Sequence, residues 1–284
     1  MAHGTFANKF SIEATRPNDG ELRKLAGILA PGTQIYLSSV SKQSYTELAQ
    51  TVARVRAAGF EPVPHVAARR LSSAETLQQL LTDVRKNADV RRLLVVGGDI
   101  DPPAGPFKDA LAVIHAAKFR EAGIEEIGIT GYPVGHPKIA AADIEQALDA
   151  KIATAVAAGL KVHIVSQFCF EPERIVAWVQ RLRAAGFRQP VKIGMAGPTS
   201  ATALLRYALR CGVNASLRGL TSGVAADLVG NVGPDRIIEA IDAAGDIGDT
   251  SAHYFSFGGL IDTARYANKA AAGIASGRAV AQSG

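Results

Sequence analysis

Apolar positions along the chain follow two rhythms. In SYTELAQTVARVRAAG, from residue 44, Leu48, Val52 and Val55 recur at three- and four-residue spacing, one stripe of an amphipathic helix. In RRLLVVGG, from residue 91, the apolar run is continuous, as in a strand covered on both faces. A phrase joining the two recurs: RAAGFEPVP from 56, REAGIEEIGI from 120, VAAGLKVHIV from 156, RAAGFRQPVKIG from 183 and, more loosely, LRCGVNASL from 209. Each ends a helix-favouring run on a glycine (Gly59, Gly123, Gly159, Gly186, Gly212), suited to a left-handed helix stop, before the next apolar segment.

Reading outward from these stops predicts strands near 10–14, 34–40, 61–67, 92–97, 126–131, 161–168, 190–195 and 252–257, with helices between them. Eight strands in 284 residues make about 35 residues per unit, the size expected of a closed (β/α)8 TIM barrel. An open doubly wound sheet is the competing arrangement, but no G-x-G-x-x-G follows the first strand. No linker or low-complexity tract divides the chain, so residues 1–284 read as one domain, with a tail from about 270 that is expected to fray.

In such a barrel, chemistry gathers where strands end and βα loops converge. That rule collects Glu13, Ser38 and Ser39, His65, Asp99, Tyr132 and His136, Gln167 and Phe168 (both placed in the sixth strand), and the segment HYFSFGG from 253.

Composition narrows the classes. A 48% hydrophobic chain with 20% charge can bury a large core without staples. No run of eighteen apolar residues and no signal-like N-terminus occurs, so the expectation is a soluble cytoplasmic protein with no membrane partner. Cys169 and Cys211 have no metal-ligand neighbours and read as reduced thiols. The net charge of +5 is scattered through helices rather than gathered in a stripe, which favours a small anionic ligand over nucleic acid.

A glutamate in the barrel mouth is partly desolvated, so the pKa of Glu13 is expected to rise, as suits a general acid; a solvated strand-end carboxylate is the plain alternative. Asp99 either presents its charge to a ligand or caps the following segment. His65 and His136 belong to no H-x-H or H-E-x-x-H pair, and no metal is expected. The amide of Gln167, set among aromatics, can read the edge of a heterocycle, or can be a buried amide satisfied by backbone.

The ordered set FSIE, PHVAAR, VVGGD, GYPVGHP, SQFCFE and KIGMAGPTS resembles the methylenetetrahydrofolate reductase family over most of the chain. The resemblance implies an enzyme that carries a hydride from NAD(P)H through FAD, interconverting 5,10-methylenetetrahydrofolate and 5-methyltetrahydrofolate. By the same resemblance Glu13 is the acid that protonates the folate ring nitrogen, and Asp99 stabilises the cation beside pterin and flavin. Gln167, with Phe168 and Ser38, would contact the pterin. Ser39, His65, Gly97, Gly98, Asp99, Tyr132, His136 and Lys151 fall at cofactor positions.

Several residues depart from the family pattern. Ala14 and Thr15 replace aromatics after the glutamate; Gly97 stands where an arginine helps hold FAD; Ser39 replaces an aromatic flavin neighbour; Gly259 occupies another arginine position; and Lys151 is the one base left for the FAD phosphates. Each charge-assisted phosphate bond contributes roughly 1.5–3 kcal/mol, so two losses weaken a flavin about a hundredfold or more. Expectations are therefore a reductase with weakly held FAD, one passing hydride directly from NAD(P)H to folate, or a non-redox pterin-binding or methyl-carrying barrel. NADH or NADPH choice, direction and oligomeric state have no signal in these residues.

Overall fold

The structure is a computed structural model, and it describes residues 6–40, 43–210, 231–232 and 234–273. Cys211, Gly212 and the tail from 274 lie outside the described residues. Strands β1 (Phe10–Ala14), β2 (Gln34–Leu37), β3 (Glu61–Ala67), β4 (Arg92–Val96), β5 (Glu126–Gly131), β6 (Lys161–Ser166), β7 (Val191–Ala196) and β10 (Thr250–Phe255) close into one parallel barrel in the order β1-β10-β7-β6-β5-β4-β3-β2. The expected TIM barrel is thus the observed fold. A two-stranded antiparallel pair, β8 (Thr199–Ser200) with β9 (Asn231–Val232), lies outside the barrel and has no counterpart in the predicted elements.

The helices wrap the barrel as α1 (Asp19–Ala26), α2 (Tyr45–Ala57), α3 (Ala74–Ala88), α4 (Ala110–Ala116), α5 (Ala141–Ala157), α6 (Pro172–Ala184), α7 (Ala201–Arg210), α8 (Asp235–Ala243) and α9 (Leu260–Ala271). Their starts are local chemistry. Asn18 with Glu21, and Ser44 with Glu47, form reciprocal capping boxes that satisfy first-turn N–H groups of α1 and α2. Their ends follow the repeated phrase: Gly59, Gly123, Gly159 and Gly186 all have positive φ, as the left-handed stop requires.

The main core lies between barrel and helices. Leu48, Val52 and Val55 of α2 are buried there, as the stripe predicts. In β4 the continuous apolar run is split by the pleat: Leu93 and Val95 face the helices, while Leu94 joins Tyr36, Val63 and Val165 in a small separate cluster inside the barrel. Each such fully buried aliphatic side chain stabilises the fold by roughly 1.5–3 kcal/mol.

The rest of the barrel interior is polar. Ser11, His163 and His253 are all buried. His163 Nε2 lies 2.8 Å from the Tyr36 hydroxyl, and its Nδ1 lies 2.7 Å from Glu126 Oε1, which also sits beside Arg92. Branched aliphatic layers, the usual filling of such a barrel, thus share the interior here with hydrogen-bonding groups.

Candidate active site

β1 delivers Glu13 to the mouth, in register with Tyr36 of β2 and Phe255 of β10. Its main-chain carbonyl accepts a 2.7 Å bond from the Ser256 hydroxyl, which pins the strand end. The carboxylate is 17% exposed and each oxygen is engaged differently. Oε1 accepts a 2.7 Å bond from Ser38 Oγ, and Ser38 in turn accepts from Thr15 Oγ1 at 3.3 Å. Oε2 faces two imidazoles, His65 Nε2 at 3.6 Å and His253 Nε2 at 3.5 Å.

These neighbours reverse the expected shift at Glu13. Burial pushes its pKa up, but the facing imidazoles of His65 and His253 and the Ser38 hydroxyl more than offset it, and the net direction is down. Burial lowers the pKa of both histidines despite the nearby carboxylate. Among the described residues, no group of three or more His, Cys, Asp or Glu is arranged to hold a metal ion.

Glu13 opens onto a cavity of about 350 Å³, lined by Thr15, Tyr207, Phe255, Phe257 and Gly259 among others. Its aromatic wall is a short ladder: Tyr207 stacks on Phe257 at 4.3 Å and Phe257 on Phe255 at 5.4 Å between ring centroids. Such faces suit a flat heterocycle beside a polar group. Gly259 has φ +126°, a conformation that side chains rarely adopt, so an arginine at this place would require a rebuilt loop. A larger groove of about 870 Å³ runs between α5 and α6, past Tyr132, Trp178 and Arg181, and none of the cluster around Glu13 lines it.

The other predicted residues are placed as follows. β6 stops at Ser166, so Gln167 and Phe168 lie just past the strand instead of within it. The cause is local, because Gln167 Oε1 turns back to accept the Phe168 N–H at 3.1 Å. Phe168 is fully buried among Phe170, Phe255 and Phe257, behind the aromatic wall.

Asp99 sits in the loop after β4 with its side chain 68% exposed, and Oδ1 accepts from Arg70 Nε at 3.0 Å and Nη2 at 2.6 Å. Gly98 has φ +93°, whereas a side chain at Gly97 would enter open space. Ser39 lies beside Tyr45, whose hydroxyl donates to the Ala67 carbonyl at 2.9 Å. Tyr132 and His136 form an edge-to-face pair at 5.4 Å on the loop after β5. Lys151 is 8% exposed on α5, where that helix packs on α4, and burial brings its pKa down to about 8 against the opposing pull of Asp109.

The sequence reading gathers Glu13, Ser38 and His65 correctly into one neighbourhood by strand ends. It includes the segment from 253 without singling out His253, and it omits Tyr207 and Ser11. The missed signal at Ser11 and His253 is the period-two alternation, which turns both inward in neighbouring registered strands.

Among solved structures, the chain is similar to a dihydropteroate synthase from Thermus thermophilus, with 16% identity, TM-score 0.49 and coverage of 94% of this chain and 95% of that one. It is also similar to a phosphonomutase described as putative from Burkholderia cenocepacia, with 15% identity, TM-score 0.49 and coverage of 89% and 88%. The sequence profile described as methylenetetrahydrofolate reductase matches residues 34–226, from β2 to beyond α7. Glu13 and His253 lie outside that match, so their place in the site rests on geometry alone. On the strength of this match over most of the barrel, the chain belongs to the methylenetetrahydrofolate reductase family.

Proposed function

We infer that the chain interconverts 5,10-methylenetetrahydrofolate and 5-methyltetrahydrofolate, with NAD(P)H as the hydride source in the reducing direction. The observation carrying this reading is Glu13, a half-buried carboxylate lining an aromatic-walled cavity in a chain of this family. In the reducing direction, protonation of the bridging ring nitrogen opens the five-membered ring to an iminium, and hydride addition at the iminium carbon completes the reduction. Glu13 is the group positioned to give that proton. Asp99 supplies a negative charge at the mouth for the cationic stage, and Gln167 a donor for the pterin edge.

The residues that would hold a flavin dinucleotide fit it poorly. Lys151 is buried against α4 near Asp109, Gly97 brings no side chain to the space around it, and Arg70 is engaged by Asp99. These observations support direct transfer from the nicotinamide to the folate. Transfer through weakly held FAD is the second reading, favoured by the retained Tyr132 and His136 pair on the loop after β5.

Freshly purified protein should be colourless, and should oxidise NAD(P)H on addition of methylenetetrahydrofolate at a rate that added FAD does not raise. A yellow protein, or a rate that depends on FAD, selects the flavin route. No NAD(P)H oxidation under either condition would sink the reductase reading and leave a non-redox pterin-binding barrel.

A further inference from the structure

We propose that Ser11 and His253 act together as positioning residues for Glu13, forming a tautomer switch that lets the carboxyl group hold or give its proton with no more than a small rotation of that carboxyl group toward a fixed imidazole. The proposal deepens the reading of Glu13 as the acid and rests on it.

His253 is completely buried and its ring is fixed on several sides. Nδ1 lies 2.9 Å from Ser11 Oγ on the adjacent strand. Tyr36 and Phe255 meet the ring edge-to-face at 4.7 and 5.0 Å. The far nitrogen, Nε2, faces Glu13 Oε2 3.5 Å away and is buried with no hydrogen-bond partner, so the carboxyl group is the polar group it can close on.

An imidazole held in this way can serve a carboxylate or a carboxylic acid, depending on which nitrogen carries its hydrogen. With Glu13 ionised, Ser11 donates to Nδ1 and Nε2–H points at Oε2. With Glu13 protonated on Oε2, its O–H donates to a bare Nε2, and Nδ1–H donates to Ser11 Oγ. The second state holds one proton more than the first, and neither ring nor backbone has moved. The serine hydroxyl makes both states possible because it can donate or accept.

When Glu13 gives its proton to the folate nitrogen, the O–H bond breaks, the new N–H bond forms, and the cluster returns to the first state. The next proton comes from solvent. His65 of β3 faces the same oxygen at 3.6 Å through an Nε2 that is likewise buried without a hydrogen bond. The other charged or titratable groups bearing on His253 are Lys192 of β7 and Tyr36 of β2.

The decisive pair of variants is Ser11→Thr and Ser11→Val. Both add equal bulk at a buried position, and only threonine keeps the hydroxyl. Threonine should keep kcat for folate reduction within about threefold of the parent. Valine should lower kcat at least tenfold with KM for folate unchanged, and should displace the acidic limb of the pH profile. Equal behaviour of the two folded variants overturns the proposal. Nitrogen NMR of His253 in the unmodified protein tests it without turnover and without either variant. The ring should exchange its protonated nitrogen from Nε2 to Nδ1 as Glu13 gains its proton, and a ring that keeps one tautomer through that titration overturns it. An inactive parent enzyme would refute the reductase reading while this titration still decides the switch.

Discussion

His163 and Gly128 share a single space inside the barrel. A Cβ on Gly128 of β5 would lie 2.5 Å from His163 Nε2, the atom bonded to the Tyr36 hydroxyl. The missing side chain is what admits an imidazole to the axis of the barrel. Gly128→Ala should therefore destabilise the protein by about 1–3 kcal/mol, the range for forcing a methyl into packed space. Urea unfolding midpoints measure this, and a midpoint equal to the parent's would mean that His163 is free to move aside.

Glu13→Gln keeps the shape of the side chain and removes its proton. Folate-dependent NAD(P)H oxidation should fall by about 10²–10⁴-fold, the usual worth of a positioned acid. Folate binding, followed by equilibrium titration, should change little. Turnover near the parent's rate would remove Glu13 from the acid role.

Asp99→Asn separates chemistry from stability. The ion pair to Arg70 is largely exposed on the aspartate side, so its loss should cost less than about 1 kcal/mol. Folate turnover should nevertheless slow severely if the charge stabilises a cationic stage. An unchanged rate in a normally stable variant would confine Asp99 to the surface pair.

Lys151 gives a pH prediction with a definite sign. Its folded-state pKa falls from the ordinary 10.5 to about 8 because burial disfavours the ammonium. Between those values the unfolded chain binds more protons than the folded one, so stability rises with pH across that window. Below it the buried charge is a penalty on the order of 3 kcal/mol. Lys151→Met should stabilise the protein by up to that amount at neutral pH, with the advantage vanishing as pH passes about 10. Thermal unfolding at several pH values measures it. A Lys151→Met protein that is less stable at neutral pH, or that loses binding of a dinucleotide, would place the ammonium in a working contact instead of a buried one.

Much of this molecule is legible in one dimension because the relevant physics is local. Helix stops at Gly59, Gly123, Gly159 and Gly186 need a residue that accepts positive φ, and capping at Asn18 and Ser44 needs a short polar side chain three residues before a glutamate. Both leave marks in the sequence, as does the two-sided burial of β4. Counting those units yields the barrel, and the barrel rule places Glu13, Ser38 and His65 at one end. Strand ends carry no such mark, which is why β6 stops before Gln167 once the amide bonds to the next N–H.

What the tertiary structure decided is the state of those groups. Whether a buried carboxylate rises or falls in pKa depends on what faces it, and His253 reaches Glu13 from 240 positions away along the chain, across the closure of β1 on β10. The same holds for Asp99, whose exposure and pairing with Arg70 depend on two neighbouring loops. It holds as well for Lys151, whose burial follows from α5 packing on α4. Sequence determines which side chains are available and roughly at which end of the barrel. Electrostatic fields fall off with distance in space and not along the chain, so only the closed barrel sets whether Glu13 is an acid, a base or a bystander.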